Sequence, residues 1–271
     1  MSNEQVGSFP NQIDAELKRL MALGTEIRSS GKWSAANEGI KWLAATIGPD
    51  QAWELQVVSG LFSSMFSEFG ALERGHQSAH YRLGPQMAWH ARNLLEIQVW
   101  AAYCATGSTH SRRLYEDAGR DAVQILQAFM RWGAIVGTGD DWLAALAEDE
   151  QDLRMSAAVE SVSLDGSYLS VAVAAKECGL ETHYRLGNKF LSKFAHPTAL
   201  VICAQADPAA ESSLKDYCFA LGSWFFADGF KTAARALLRL ANNAGLEMDS
   251  LLRPKMSEEG RESSIGQGTK S

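Results

Sequence analysis

The sequence predicts an all-α fold, a multi-helix bundle, on three observations. Apolar residues recur at three- and four-residue intervals along nearly the whole chain, and the sustained alternation of a half-buried strand is scarce. Only six prolines are present in 271 residues to interrupt helices. With 46% hydrophobic and 21% charged residues, the chain can bury a substantial core, which excludes wholesale disorder.

A first helix is expected over 11–29, with Ile13, Leu17, Leu20 and Leu23 on one stripe, ended by Gly31. A second covers 34–47. The turn Gly48-Pro49-Asp50 then puts proline near the start of a third, through Phe69. Trp42, Trp53, Phe62 and Phe66 supply core volume. After a polar stretch over 73–84, Pro85 opens a fourth helix to about 105, and Gly107-Ser108-Thr109 punctuates. A fifth helix over 111–136 pairs Arg112 with Glu116 and Glu116 with Arg120, charges that mark its wet face. Past Gly137-Thr138-Gly139-Asp140, a sixth over 141–162 carries Glu148, Asp149, Glu150 and Asp152, an acidic run assigned to solvent. A short alanine-rich helix stops at Gly179, and further helices span 182–206 and 211–244. From about Ser250, glycine, serine and mixed charge replace the periodicity. One domain is therefore expected over 1–249 and a frayed tail over 250–271. The pentapeptide His-Tyr-Arg-Leu-Gly occurs at 80–84 and again at 183–187, but its flanks do not align and it reads as a chance match.

The formal charge of −7, from 32 acidic and 25 basic residues, argues against a broad basic surface that coats nucleic acid. Cys104, Cys178, Cys203 and Cys218 lie far apart in apolar stretches and read as small buried hydrophobes of a reducing compartment. The first ten residues lack the basic flank and apolar stretch of a signal peptide, and the longest apolar runs are too short to span a bilayer. A cytoplasmic protein with no membrane contact is expected. No cofactor or metal is expected either. Gly133 and Gly137-Thr138-Gly139 lack the lysine of a phosphate loop, and His76 with His80 would give a metal two ligands without a third. Trp89, Trp100, Trp132, Trp142 and Trp224 fall at helical core spacing and read as packing rather than base-stacking platforms.

Two segments carry candidate chemistry. Glu96 is the only charged side chain from 93 to 107. It lies four residues after Arg92, on a face shared with Val99 and Tyr103, so an ion pair sits beside apolar neighbours. Such a pair either fixes helix register or belongs to a polar cluster whose desolvation perturbs a titratable group. Downstream, Tyr184 precedes Ser192-Lys193-Phe194-Ala195-His196-Pro197. Ser192 and His196 share a face, Lys189 lies one turn earlier, and Pro197 should bend the helix at His196. A histidine at such an irregularity serves as a general base or as a packed hydrogen-bonding residue.

The segment Arg92-Asn93-Leu94-Leu95-Glu96, followed by Gly179-Leu180-Glu181, Tyr184 and Leu191-Ser192-Lys193-Phe194-Ala195-His196-Pro197-Thr198, resembles a family of uncharacterised bacterial all-helical proteins. That family looks related to the HEPN superfamily, and the resemblance covers roughly 85–206. It implies a HEPN-like helical core with additional N-terminal and C-terminal helices, in which Arg92, Glu96, Ser192 and His196 approach one another, and a role near bacterial stress or antiphage defence. Catalytic HEPN ribonucleases carry an arginine separated from the histidine by four to six residues. Here those positions offer Leu191, Phe190 and Lys189, so only Lys189 is cationic and it lacks arginine's planar fork.

Three functional readings follow. The first is a non-catalytic interaction or regulatory module, working with a protein partner or as a homodimer. The second is a metal-independent ribonuclease using His196 with Lys189 or Lys193, the only reading in which RNA is a partner. The third is a pocket for a small polar ligand lined by Arg92, Glu96, Tyr184, Ser192 and His196.

Overall fold

The computed structural model describes residues 8–78, 84–196, 198 and 208–246. Among these residues it contains nine helices and no strand: α1 (Ser8–Ser29), α2 (Lys32–Thr46), α3 (Pro49–Gln77), α4 (Gly84–Thr106), α5 (Ser108–Val136), α6 (Asp140–Val159), α7 (Val171–Glu177), α8 (Glu181–Ala195) and α9 (Pro208–Asn243). The protein is all-α. No helix among the described residues is long and apolar enough to cross a membrane.

The boundaries follow local chemistry. Gly31 stands at φ 72° between α1 and α2, and Gly137 at φ 73° ends α5, a left-handed conformation open to glycine. Pro49 occupies the first turn of α3, where its missing N–H costs nothing. The Ser170 hydroxyl caps α7 by accepting from the Val173 N–H at 3.3 Å.

The core is built from α3, α4 and α9. Helix α4 is buried along most of its length through Met87, Ala88, Ala91, Leu94, Leu95 and Val99. A run of stacked and edge-on rings, Phe62 on Phe230 and Phe69 on Phe219 and Phe226, joins α3 to α9 in antiparallel sense. By contrast α4 and α9 run parallel. A Cβ on Gly222 would lie 3.5 Å from the Ala91 Cα, and one on Gly229 would lie 3.3 Å from the Gln98 Cα. Both pairs of positions are seven residues apart, so the two helices keep a shared register. Helix α1 covers α9 from outside, and α8 packs antiparallel on the far side of α4, where Gly187 lets it approach Leu95.

Three expectations change. Helix α3 continues eight residues past Phe69 to Gln77, because Leu72 is still fully buried and the His76 ring stacks on Phe219 at 4.3 Å. Helix α8 stops at Ala195. His196, which precedes Pro197, is extended at φ −106° and ψ 155°, the conformation a following proline ring favours. Of the remainder of the expected 182–206 helix, residues 197 and 199–206 lie outside the described residues, as do His80, four of the five residues of the first pentapeptide copy, Cys203 and the expected tail. Finally, the supposed wet face of α5 is partly interior. Asp117 and Arg120 are buried and paired, and Asp117 also accepts from the Leu169 N–H at 3.0 Å, tying α5 to the link before α7.

The distal half of α5 and all of α6 form an arm. Helix α6 packs chiefly on α5 and buries only Ala157. Glu148, Asp149 and Asp152 are exposed, as the acidic run suggested. Trp132 on this arm and Trp89 on α4 are also exposed, so packing accounts for Trp100, Trp224 and Trp142, whose ring lies over Gly133, but not for these two.

Candidate functional site

Arg92 and Glu96 stand one turn apart on α4, and the antiparallel α8 presents Tyr184, Asn188, Ser192 and, at its end, His196 at four-residue intervals, hence on one face. Arg92 joins the two helices. Its Nε donates to Asn188 Oδ1 at 3.0 Å, Nη2 lies 3.1 Å from Glu96 Oε1, and Nη1 donates to His196 Nε2 at 3.4 Å. Ser192 Oγ also donates to Asn188 Oδ1, at 3.1 Å. The last of the Arg92 contacts is long for a hydrogen bond and uses the Nε2 lone pair.

Four of the five residues of the expected cluster, Arg92, Glu96, Ser192 and His196, are thereby joined through Asn188 and the Arg92 guanidinium. Tyr184 stands close enough for electrostatics to matter: burial pushes its hydroxyl above the ordinary tyrosine range, the Glu96 carboxylate adds to the shift, and the Arg92 charge opposes it. Glu96 and His196 do not bond directly; Arg92 bridges them. Arg92 and Glu96 are half-buried, whereas His196 is exposed. Lys189 and Lys193 point to solvent, and among the described residues neither pairs with a carboxylate nor bonds to His196.

Sequence reasoning missed Asn188. Its signal was its place four residues after Tyr184 and four before Ser192. An amide there accepts two donors at once and leaves no charge to compensate, which suits a junction between helices.

Other polar groups are committed elsewhere. His76 Nε2 lies 2.8 Å from Asp216 Oδ1, and His90 Nδ1 lies 2.6 Å from Glu68 Oε2, whose other oxygen accepts from Asn93 at 3.1 Å. Among the described residues no three histidines, cysteines or carboxylates gather as metal ligands would. A cleft of about 610 Å³ opens between α3, α4 and α5, walled by Val57, Leu61, Ile97, Trp100, Ala118 and Asp121. A neighbouring one of about 530 Å³ shares Gln56 and Tyr115 with it. Neither is lined by a residue of the Arg92 cluster.

The most conspicuous surface is on the arm. Ile125, Phe129, Trp132, Ile135 and Val136 of α5 are each 48–82% exposed. The side of α5 turned toward α6 is apolar as well: Val123 and Gly133 are buried and Leu126 and Met130 half-buried, with the Trp142 ring of α6 seated over Gly133. A helix apolar on two sides is built for the interior of a bundle, yet here one side has no cover from its own chain.

No family model matches this sequence, and no curated protein or solved structure matches it either.

Proposed function

We propose that this protein is a non-catalytic helical interaction module in which the α5–α6 arm is the contact surface and the Arg92 cluster is an internal clamp between α4 and α8. The uncovered apolar side of α5 carries this reading. Side chains that served only the protein's own stability would be buried, and Ile125, Phe129, Trp132 and Val136 are not. The cluster supports it from the other side. Each guanidinium nitrogen of Arg92 already has a partner on α4 or at α8, which fits a joint between the two helices. The resemblance noted in the sequence would place such a module near bacterial stress or antiphage defence.

One observation favours the ribonuclease reading as the alternative. Arg92 supplies, from another helix, the guanidinium beside His196 that positions 189–191 lack. Purified protein incubated with mixed RNA in excess chelator decides between them. The interaction-module reading expects intact RNA, and cleavage that disappears in His196→Ala overturns it. A second check concerns the arm. In solution dilute enough to be monomeric, Phe129→Ser should leave the denaturation midpoint nearly unchanged, whereas a loss of about 3 kcal/mol would make the side chain part of the folding core.

A further inference from the structure

We infer that the outward face of α5 is a self-association surface, through which two copies of the chain pair about a two-fold axis so that their α5–α6 hairpins close into a four-helix bundle. The inference rests on the reading of the arm as a contact surface and names its partner.

Spacing gives the first argument. Ala118, Ala122, Ile125, Phe129, Trp132 and Val136 follow one another at intervals of four, three, four, three and four, the seam of helices that pack at a shallow angle. Leu126, Met130 and Gly133 lie beside this seam on the side facing α6. Together they make the wide apolar stripe of a four-helix bundle, of which the hairpin supplies two helices.

Area gives the second. The five exposed side chains from Ile125 to Val136 leave on the order of 600 Å² of contiguous apolar surface open, judged from the 150–250 Å² of a buried aromatic. That is at the upper end for a monomer and supplies most of the ~800 Å² per partner of a stable specific interface.

Charge selects the partner. Along the seam from Ala118 to Val136, Asp121 at the N-terminal edge accepts from the Tyr168 hydroxyl at 2.5 Å, Arg120 is buried against Asp117, and Arg131 stands off the seam. A two-fold pairing sets each residue against the same patch of its mate, so the stretch from Ile125 to Val136, with no charge on its seam, is complementary to itself. The arm's other helix carries six acidic residues against one arginine, which disfavours an anionic membrane or nucleic acid as the occupant.

Sedimentation equilibrium of the full chain, from about 1 to 100 µM, tests the proposal. The expected result is a mass approaching twice 29.5 kDa as concentration rises, with tryptophan emission shifting to the blue in step and that shift lost in Trp132→Phe. Phe129→Glu combined with Trp132→Glu should weaken association at least 100-fold with helical circular dichroism retained, and Arg131→Gln should not. A monomer throughout, or a dimer that survives the double charge substitution, overturns self-association. If the charged variant loses helicity, the dilution series of the unaltered chain decides by itself. His196-dependent RNA cleavage would remove the module reading, whereas a monomeric mass would remove only this inference.

Discussion

Glu54 of α3 and Arg239 of α9, 185 residues apart, form an ion pair beneath the junction of α4 and α5. Glu54 is 2% exposed, and its second oxygen accepts from the Ser108 hydroxyl at 2.9 Å. Arg239 also donates to the Cys104 carbonyl at 2.6 Å, one of the last four carbonyls of α4, which lack partners within the helix. The pair therefore holds four helices, α3, α4, α5 and α9, and closes the end of one of them.

Truncation at this pair should be among the most damaging changes in the protein. Glu54→Ala leaves the half-buried Arg239 guanidinium without its carboxylate and is expected to cost about 2–4 kcal/mol in urea denaturation, with Glu54→Gln costing clearly less. A loss below about 1 kcal/mol for the alanine variant would mean that water enters and replaces the carboxylate.

Within the Arg92 cluster the weight falls on the arginine. Arg92→Ala removes the contacts to Asn188, Glu96 and His196 together and should lower stability by about 1–2 kcal/mol. His196 is exposed, so His196→Ala should cost no more than about 0.5 kcal/mol. Equal losses in the two variants, measured by denaturant titration, would make His196 the anchor instead.

Burial pushes the Cys104 and Cys218 thiols up to about 12. In the unfolded chain the same thiols ionise near their ordinary value, so the folded state binds more protons above it. Stability from these groups is complete below about pH 8.5 and falls as pH rises toward 12, by roughly 2 kcal/mol per thiol at pH 10. Urea midpoints at pH 8 and 10 should show this loss, and Cys104→Ala with Cys218→Ala should flatten it. Iodoacetamide at pH 8 should leave both thiols of the folded protein unmodified; labelling at the rate of free cysteine would refute their burial.

The parallel contact of α4 and α9 leaves little room for a side chain at Gly229, where a Cβ would meet the Gln98 Cα at 3.3 Å and the Met65 sulfur at 3.0 Å. Gly229→Ala is therefore expected to destabilise by about 1–3 kcal/mol despite alanine's better helix propensity. A thermal midpoint at or above that of the unaltered protein would show that the helices can part without cost.

Helical periodicity made the fold class legible, and glycine and proline marked most element ends to within a few residues. The exceptions have physical reasons. Leu72 prolongs α3 into the core beneath Glu73, Arg74 and Gln77, which mask one buried position among several wet ones. Arg120 reads as a surface partner of Glu116 because spacing cannot report that Asp117, the neighbouring acid, is covered by the backbone at Leu169, 52 residues on. Trp132 reads as packing because periodicity detects an apolar face and is silent on whether the same chain covers it. At the candidate site, the residues on shared helix faces were legible, and the Arg92 bridge between helices, through Asn188, was not.

The parallel register of α4 and α9 sets an order of events during synthesis. Gly84 meets Glu211 and Cys104 meets Arg239 across 127 and 135 residues of intervening chain. The hairpin of α5 and α6, with its local contacts, can close while the ribosome is still working, but Ala91 and Leu94 of α4 have to wait for Gly222 to emerge. Until then the nascent chain holds its most apolar helix half-clothed, and a transcript cut short before α9 encodes a substrate for chaperones and proteases rather than a smaller version of this protein.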